Sequence, residues 1–379
     1  MALACGVTVA NMYYNQPLLV EMRRTFHVSI GEISLVPTLT QMGGAVGVGL
    51  FGPLGDVLQH RRVIVMLLVA TTGALIAAAI SPSLLLLATA HLAIGATEAV
   101  PELMISLAAQ LTGPAQRGQV IGSVTSGLLI GLLIAPPVSG FVGAKLGWRV
   151  MYWLASGLVI VLAMVLIKFL PQSQPSSTLS YQGLLRSLPE LVRKQPLLRE
   201  AAIIGAMLFG AFSAFWTTLA FLLAEPPYHY GSEVVGLFGL VAGVGVVTTP
   251  LVGRLTDRTS PRLTVGLALS VMMFAVLVIW LFGHQLWGLI VGVILLEFGL
   301  DAAHVSNQAQ IYSLPMLEAH SRLISVYMVS LFSGGALGSL LGAYGWSIWR
   351  LSGVCFVGLL MLAIALTIYF RGGQAPKAL

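Results

Sequence analysis

Apolar residues run along this chain in blocks of about twenty, separated by short polar connections, and the pattern holds from the first residues almost to the last. A helix needs roughly 20 apolar residues to cross a hydrocarbon layer about 30 Å thick. In such a layer each segment has to pair its own backbone N–H and C=O groups, so runs of this length read as helices. Reading the runs and their breakers places spans near 3–22, 33–52, 62–80, 83–105, 118–141 and 149–170, then 200–223, 233–253, 263–282, 286–309, 322–345 and 350–370. The expected fold class is an all-α membrane protein with twelve transmembrane helices. One long polar stretch interrupts the pattern, from Pro171 to Gln195, with PQSQPSSTLS followed by Arg186, Arg193 and Lys194. It divides the chain into an N-terminal six-helix half over 1–170, a cytoplasmic linker over 171–197 and a C-terminal six-helix half over 198–379.

The halves repeat, which predicts two pseudo-symmetric six-helix bundles. GPLGDVLQHRR, from Gly52 to Arg62, follows the second span, and GRLTDRTSPR, from Gly253 to Arg262, follows the eighth; both have the form G-x-L-x-D with basic residues after it. Asp56 and Asp257 are 201 residues apart. Gly43-x-x-x-Gly47 in the second span recurs as Gly239-x-x-x-Gly243 in the eighth. Gly127-x-x-x-Gly131 in the fifth is answered by Gly334-x-x-x-Gly338-x-x-x-Gly342 in the eleventh. Small residues one turn apart let helices approach closely. Close packing is the plain reading; recurrence at equivalent places also suits paired helices that slide or rock.

Composition agrees with the pattern. Of 379 residues 57% are hydrophobic and 8% charged, against roughly 25% charged in a soluble globular protein, and mean hydropathy is +0.94. A net charge of +6 and a pI near 9.5 raise the question of nucleic acid. The basic residues, however, sit in short connections rather than on one helical face, so no nucleic-acid partner is expected. With both termini cytoplasmic, the cytoplasmic side receives Arg61, Arg62, Arg117, Lys168, Arg186, Arg193, Lys194, Arg199, Arg254, Arg258, Arg262, Arg322, Arg371 and Lys377. The other side keeps Arg23, Arg24, Lys145, Arg149 and Arg350. That bias favours this orientation, as a multi-pass protein of a bacterial inner membrane. Cys5 and Cys355 lie in apolar segments far apart, so neither a disulfide framework nor a thiolate metal site is indicated. The first span starts almost at Met1 without a basic n-region, so no cleavable leader is expected.

Ionisable residues inside a bilayer are costly and mark function by default. Glu98 and Glu102 lie in the fourth span, Glu297 and Asp301 in the tenth, and no Lys or Arg falls centrally in either. At 100° per residue His91, Gly95, Glu98 and Glu102 form one stripe, and Glu297, Asp301, His304 and Gln308 another. The two acidic pairs are 199 residues apart, close to the loop-motif spacing. Four acids without an embedded base favour competition between cations and protons. Hydrated positions near a cytoplasmic vestibule are the alternative, chiefly for Glu102 and Asp301. Imidazole beside carboxylate suits several divalent metals, but a lone His on a helix face is more often a packing residue, and no metal site is assigned.

In the first span Asn11 and Asn15 stand one turn apart beside Tyr13, Tyr14 and Gln16, either to hydrogen-bond substrate or to tie helix one to a neighbour. Phe209, Phe212, Phe215 and Trp216 suit a wall for a flat organic cation or, alternatively, packing and lipid contact. No nucleophile-base constellation or nucleotide-binding loop occurs, so no catalytic residue and no enzyme activity are expected.

The loop motifs are where the chain resembles the major facilitator superfamily, and the likeness covers essentially the whole sequence. The fifth span, with Gly122, Gly131, Ala135, Pro136, Ser139 and Gly140, is similar to the G-(x)8-G-(x)3-G-P-x-x-G-G pattern of its drug:proton antiporter branch. Ala135 and Ser139 replace two of its glycines. ANMYYNQPLL, HVSNQAQIYSL and SRLISVYMVSLFSGGALGS resemble a bacterial efflux subgroup of that superfamily. Val57 stands where the family usually has Arg, Gln59 where it has Gly, and His91 where antiporters usually carry a membrane-embedded Arg.

The resemblance implies that spans one, four, seven and ten line a central cavity. Substrate or proton binding is expected at Glu98, Glu102, Glu297, Asp301, His91, His304, Asn11, Asn15 and Tyr14. Gating falls to Asp56, Arg61, Arg62, Asp257, Arg258, Gly131, Pro136 and Gly140. The expected function is secondary active transport: proton-coupled export of a cationic or amphipathic small molecule by alternating access. The expected form is a monomer in the lipid bilayer, with no cofactor and the proton gradient as energy source. Proton symport or facilitated passage of a small metabolite is the alternative, and a transporter-like membrane sensor a remote one.

Overall fold

A computed structural model describes residues 1–113, 116–171, 181–243, 260–314 and 320–372. The protein is all-α, and among the described residues nine helices are long and apolar enough to cross a membrane. Three local features relate these nine to the twelve runs of the sequence. The first run is divided at Tyr14 into α1 (Ala2–Tyr13) and α2 (Asn15–Phe26). The eighth is described only over its first part (Ser232–Ala242), and residues 244–259 lie outside the description. The eleventh and twelfth run on as His320–Gly372, broken at Trp349 and Arg350, the latter with φ of 52°. The spans expected as single helices from 33 and from 83 are each divided as well, at Ser34 and at Thr97–Glu98.

In chain order the remaining helices are α3 (Ile30–Ile33), α4 (Leu35–Phe51), α5 (Leu54–Val57), α6 (His60–Ala79), α7 (Leu84–Ala96), α8 (Ala99–Leu111), α9 (Arg117–Leu146) and α10 (Trp148–Phe169). They continue as α11 (Tyr181–Lys194), α12 (Pro196–Ala224), α13 (Ser232–Ala242), α14 (Pro261–Phe282), α15 (Leu286–Tyr312) and α16 (His320–Gly372). The last polar stretch before the seventh span thus contains a helix, α11, on whose exposed surface Lys194 pairs with Glu190 at 2.5 Å and holds that carboxyl below the usual range.

Two compact units form: Met1–Leu185 with Leu223–Leu240, and Arg186–Leu222 with Val241–Leu379. Lipid offers helices no hydrophobic reward for associating, so close backbone approach at small residues has to hold them. In the first unit a Cβ at Gly43, Gly47 or Gly95 would fall inside 3 Å of backbone across the α4–α7 contact. The same is true at Gly127 and Gly131, which meet Ala2 and Gly6 where α9 crosses α1. In the second unit Gly334, Gly338 and Gly342 on α16 meet Ala206, Gly210 and Ala214 on α12 in the same way. Gly122, part of the fifth-span motif, has open space at its Cβ direction.

Candidate functional site

The carboxylates of the fourth span sit at a fault in the helix. Pro101 has no N–H to give the Thr97 carbonyl, so α7 cannot run on regularly into α8. The joint closes instead by shorter turns, Thr97 N to Ile94 O at 3.2 Å, Glu98 N to Gly95 O at 2.9 Å and Val100 N to Thr97 O at 3.3 Å. Glu98 occupies this joint and is 8% exposed, while Glu102 in the first turn of α8 is half-buried. Cys5 of α1 reaches the Pro101 carbonyl at 3.8 Å.

The amides lie on α1 and α2. Asn15 Nδ2 donates to Met12 O at 3.0 Å and to Thr40 Oγ1 at 3.3 Å, tying α2 to α4. Asn11 is buried with neither side-chain atom partnered. Tyr14 is buried at the break, where the Ser139 hydroxyl donates to its carbonyl at 2.5 Å. Ser139 is one of the residues that stand in for a motif glycine.

In the second unit the corresponding pair lies in an unbroken helix. Glu297 is 8% exposed and Asp301 half-buried, both on α15. One turn on, His304 Nδ1 lies 3.0 Å from the Tyr327 hydroxyl and its Nε2 2.9 Å from Gln308 Nε2. Gln308 Nε2 can only donate, so the His304 proton sits on Nδ1, directed at Tyr327. Phe209 and Phe212 stack at 5.7 Å on α12, Trp216 follows them, and Phe332 meets Phe209 edge-on. Among the described residues no Lys, Arg or His lies within ion-pair distance of any of the four acids. No three metal-ligating side chains come together there either.

His91, expected in the proton-binding set, is enclosed. Its Nδ1 lies 2.9 Å from the Leu87 carbonyl and its Nε2 2.8 Å from the Tyr152 hydroxyl. A carbonyl only accepts, so Nδ1 carries the proton and Nε2 accepts from Tyr152. Both ring nitrogens are therefore occupied between α7 and α10.

The expected gating residues divide. Asp56 lies in α5; Asp257 and Arg258 lie outside the described residues. Arg62 is exposed at the start of α6, and Arg61 beside it donates to the Ile167 carbonyl in the last turn of α10. Arg262, 201 residues after Arg61, does the same to the Tyr369 carbonyl in the last turn of the chain's final helix. It also pairs with Glu200 at 2.9 Å. Each loop motif thus carries near its end an arginine, Arg61 or Arg262, that neutralises the negative end of a later helix. Gly131 meets Gly6, while the Pro136 carbonyl meets Gly236 and Gly140 meets Ser232, so this part of α9 is the seat of α13. Ser232 donates to Glu21 at 2.5 Å and lies 3.1 Å from Gly140 O.

Tyr152, Tyr327, Arg262 and Glu21 were not singled out from the sequence. Only Arg262 carried a signal that could have found it, the 201-residue repeat of Arg61.

The sequence pattern described as Major Facilitator Superfamily matches residues 1–339. The "Uncharacterized transporter YgaY" of Escherichia coli O157:H7 is 36% identical over 379 residues, covering 100% of this chain and 96% of that one. A "Probable transporter" of Streptomyces coelicolor is 33% identical over 358 residues, covering 94% and 83% of the two chains. Among solved structures, the nucleoside transporter NupG superposes with a TM-score of 0.76 at 14% identity over 99% of both chains, a likeness of fold.

Proposed function

The chain belongs to the Major Facilitator Superfamily and is a multi-pass membrane transporter, and on that footing we propose that it is a proton-coupled exporter of the drug:proton antiporter branch. Its substrate is a cationic or amphipathic small molecule, and it works by alternating access in a bacterial inner membrane, as a monomer with both termini cytoplasmic. The observation that carries this reading is the pair of acids in each unit, buried Glu98 with half-buried Glu102 and buried Glu297 with half-buried Asp301. None has a basic partner among the described residues. A carboxylate enclosed in this way has two means of losing its uncompensated charge, binding a proton or binding a cation. The two exclude each other at one carboxylate, and mutual exclusion at a site open alternately to either side is exchange. The drug:proton branch is further supported by the fifth-span pattern, whose Pro136, Ser139 and Gly140 sit at the Tyr14 break and the α13 contact.

The test is uptake of a fluorescent organic cation, ethidium, into everted vesicles under an inward-acid proton gradient. Wild-type protein accumulates the dye and releases protons outward; Glu98→Gln and Glu297→Gln, which keep shape but remove the titratable charge, lose gradient-driven accumulation by at least tenfold at equal protein level. If both variants still build the gradient, proton coupling does not run through these acids.

A further inference from the structure

The first unit holds a group of buried acceptors that no donor meets. Asn11 is 2% exposed and Asn15 1% exposed, and Asn11 Oδ1, Asn15 Oδ1 and Gln41 Oε1 all lack a partner. The orientation of Asn15 is fixed by chemistry. Its Nδ2 donates to the Met12 carbonyl, which can only accept, so Oδ1 is the free end. Thr40 does not relieve it, because its hydroxyl proton is given to the Val36 carbonyl at 2.8 Å. Glu98 adds a buried carboxylate without a cation.

Asn11 and Glu98 lie at one depth, about one helical turn from Asn15. Asn15 bonds Thr40, and Gly95 of α7 is seated on the Thr40 backbone. From that level Cys5, further toward Met1 on α1, reaches Pro101, further along on α8. Moving from Asn15 back to Asn11 therefore runs the same way as moving from Gly95 on to Glu98. Each step is about one helical turn of roughly 5 Å, so Asn11 and Glu98 come level on helices in contact.

A buried acceptor without a donor is destabilising, and native proteins leave few of them unexplained. The amide oxygens of Asn11 and Asn15 with the Glu98 carboxylate make a set short of N–H groups, in which the Asn11 amide nitrogen is itself unpartnered. We infer that this set binds the N–H-bearing head of the substrate, a primary ammonium or a guanidinium, in preference to a quaternary ammonium or a neutral polyol. This deepens the export reading and rests on it. An ammonium has three donors and a guanidinium five, with no acceptor on either. One such head neutralises Glu98 and still has N–H groups for the amide oxygens. A quaternary ammonium meets the charge but leaves every amide oxygen unpaired, and a site built around hydrogen bonds rejects such an analogue strongly. A polyol donates but brings no charge.

The experiment is calorimetric and thermal-shift titration of the full-length purified protein with 2-phenylethylammonium, 2-phenylethylguanidinium and the trimethylated analogue of the first, at a pH where all are cations. The two N–H-bearing probes are expected to bind at least tenfold more tightly than the trimethyl compound. Equal or reversed affinity overturns the inference while leaving cation export standing. Binding of none of the three overturns both. Asn11→Leu removes the unpaired amide, so it should raise the melting temperature of the ligand-free protein and reduce the preference to less than threefold. A lowered melting temperature with the preference intact would show that Asn11 serves packing alone and would overturn the assignment. The wild-type ratio decides even where the variant does not fold.

Discussion

Whether a buried histidine takes part in transport depends on what its two nitrogens touch. His91 shares a helical stripe with Gly95, Glu98 and Glu102, which is why the sequence groups it with the acids. Periodicity gives a residue its face but not the side chain opposite. Here that side chain is Tyr152, sixty-one residues on, whose hydroxyl fills Nε2 while Leu87 fills Nδ1. Such an imidazole ties α7 to α10. Tyr152→Phe would leave Nε2 buried without a donor. A lost hydrogen bond between membrane helices weakens a protein by about 0.6 kcal/mol on average and up to about 1.7 kcal/mol. We therefore expect thermal stability to fall by about 1 kcal/mol, with dye transport per molecule unchanged. The reverse pattern, full stability with lost transport, would place His91 in the coupling machinery. His304 is built differently, since its N–H faces a tyrosine and its other nitrogen a flexible amide.

At the scale of helices, the small-residue spacing was legible as close packing, but the partners were not. Gly127 and Gly131 announce an interface; their counterpart on α1, Ala2 and Gly6, is too short a pattern to stand out among 42 glycines. The break at Thr97–Glu98 was legible in part, through Pro101, yet the apolar run continues across it and reads as one span. Burial of Glu98 and Glu297 followed from hydropathy alone, whereas the missing donors around Asn11 depend on helices meeting and leave no trace along the chain. The glycine contacts give a direct contrast. A Cβ at Gly131 would collide with the Gly6 backbone, which cannot swing aside as a side chain can; one at Gly122 meets nothing within 4 Å. Gly131→Ala should force α1 and α9 apart, destabilising the first unit by about 1 to 3 kcal/mol. Gly122→Ala should be neutral or stabilise by up to about 1 kcal/mol through helix propensity. Melting temperatures of the two variants in one detergent check this, and equal destabilisation would contradict the packing.

Across the whole molecule, the same devices appear in both units at nearly the same interval. Ala2 and Gly6 against Gly127 and Gly131 correspond to Ala206 and Gly210 against Gly334 and Gly338. Arg61 on the Ile167 carbonyl corresponds to Arg262 on the Tyr369 carbonyl. The repeat does not make the copies equal in strength. Arg61 is part-exposed and its motif carries Val57 and Gln59 in place of the family's usual Arg and Gly. Arg262 has three partners: the last-turn carbonyl, the Glu200 carboxylate at 2.9 Å and the Tyr369 ring at 4.9 Å. A cation at a partly buried helix C-terminus contributes up to about 2 kcal/mol, and about 1.4 kcal/mol is a tenfold change in a conformational population. Neither arginine lies among the intramembrane acids, so their loss should alter conformational populations and stability rather than substrate affinity. We expect Arg262→Gln to slow dye transport about tenfold at equal protein level, with affinity for the dye changed less than threefold. Arg61→Gln should slow it by threefold or less. Transport rates and dye titrations on both variants decide the matter: an Arg262→Gln protein that transports at the wild-type rate, or one that loses dye affinity in step with its rate, would refute a conformational role for the second-half loop.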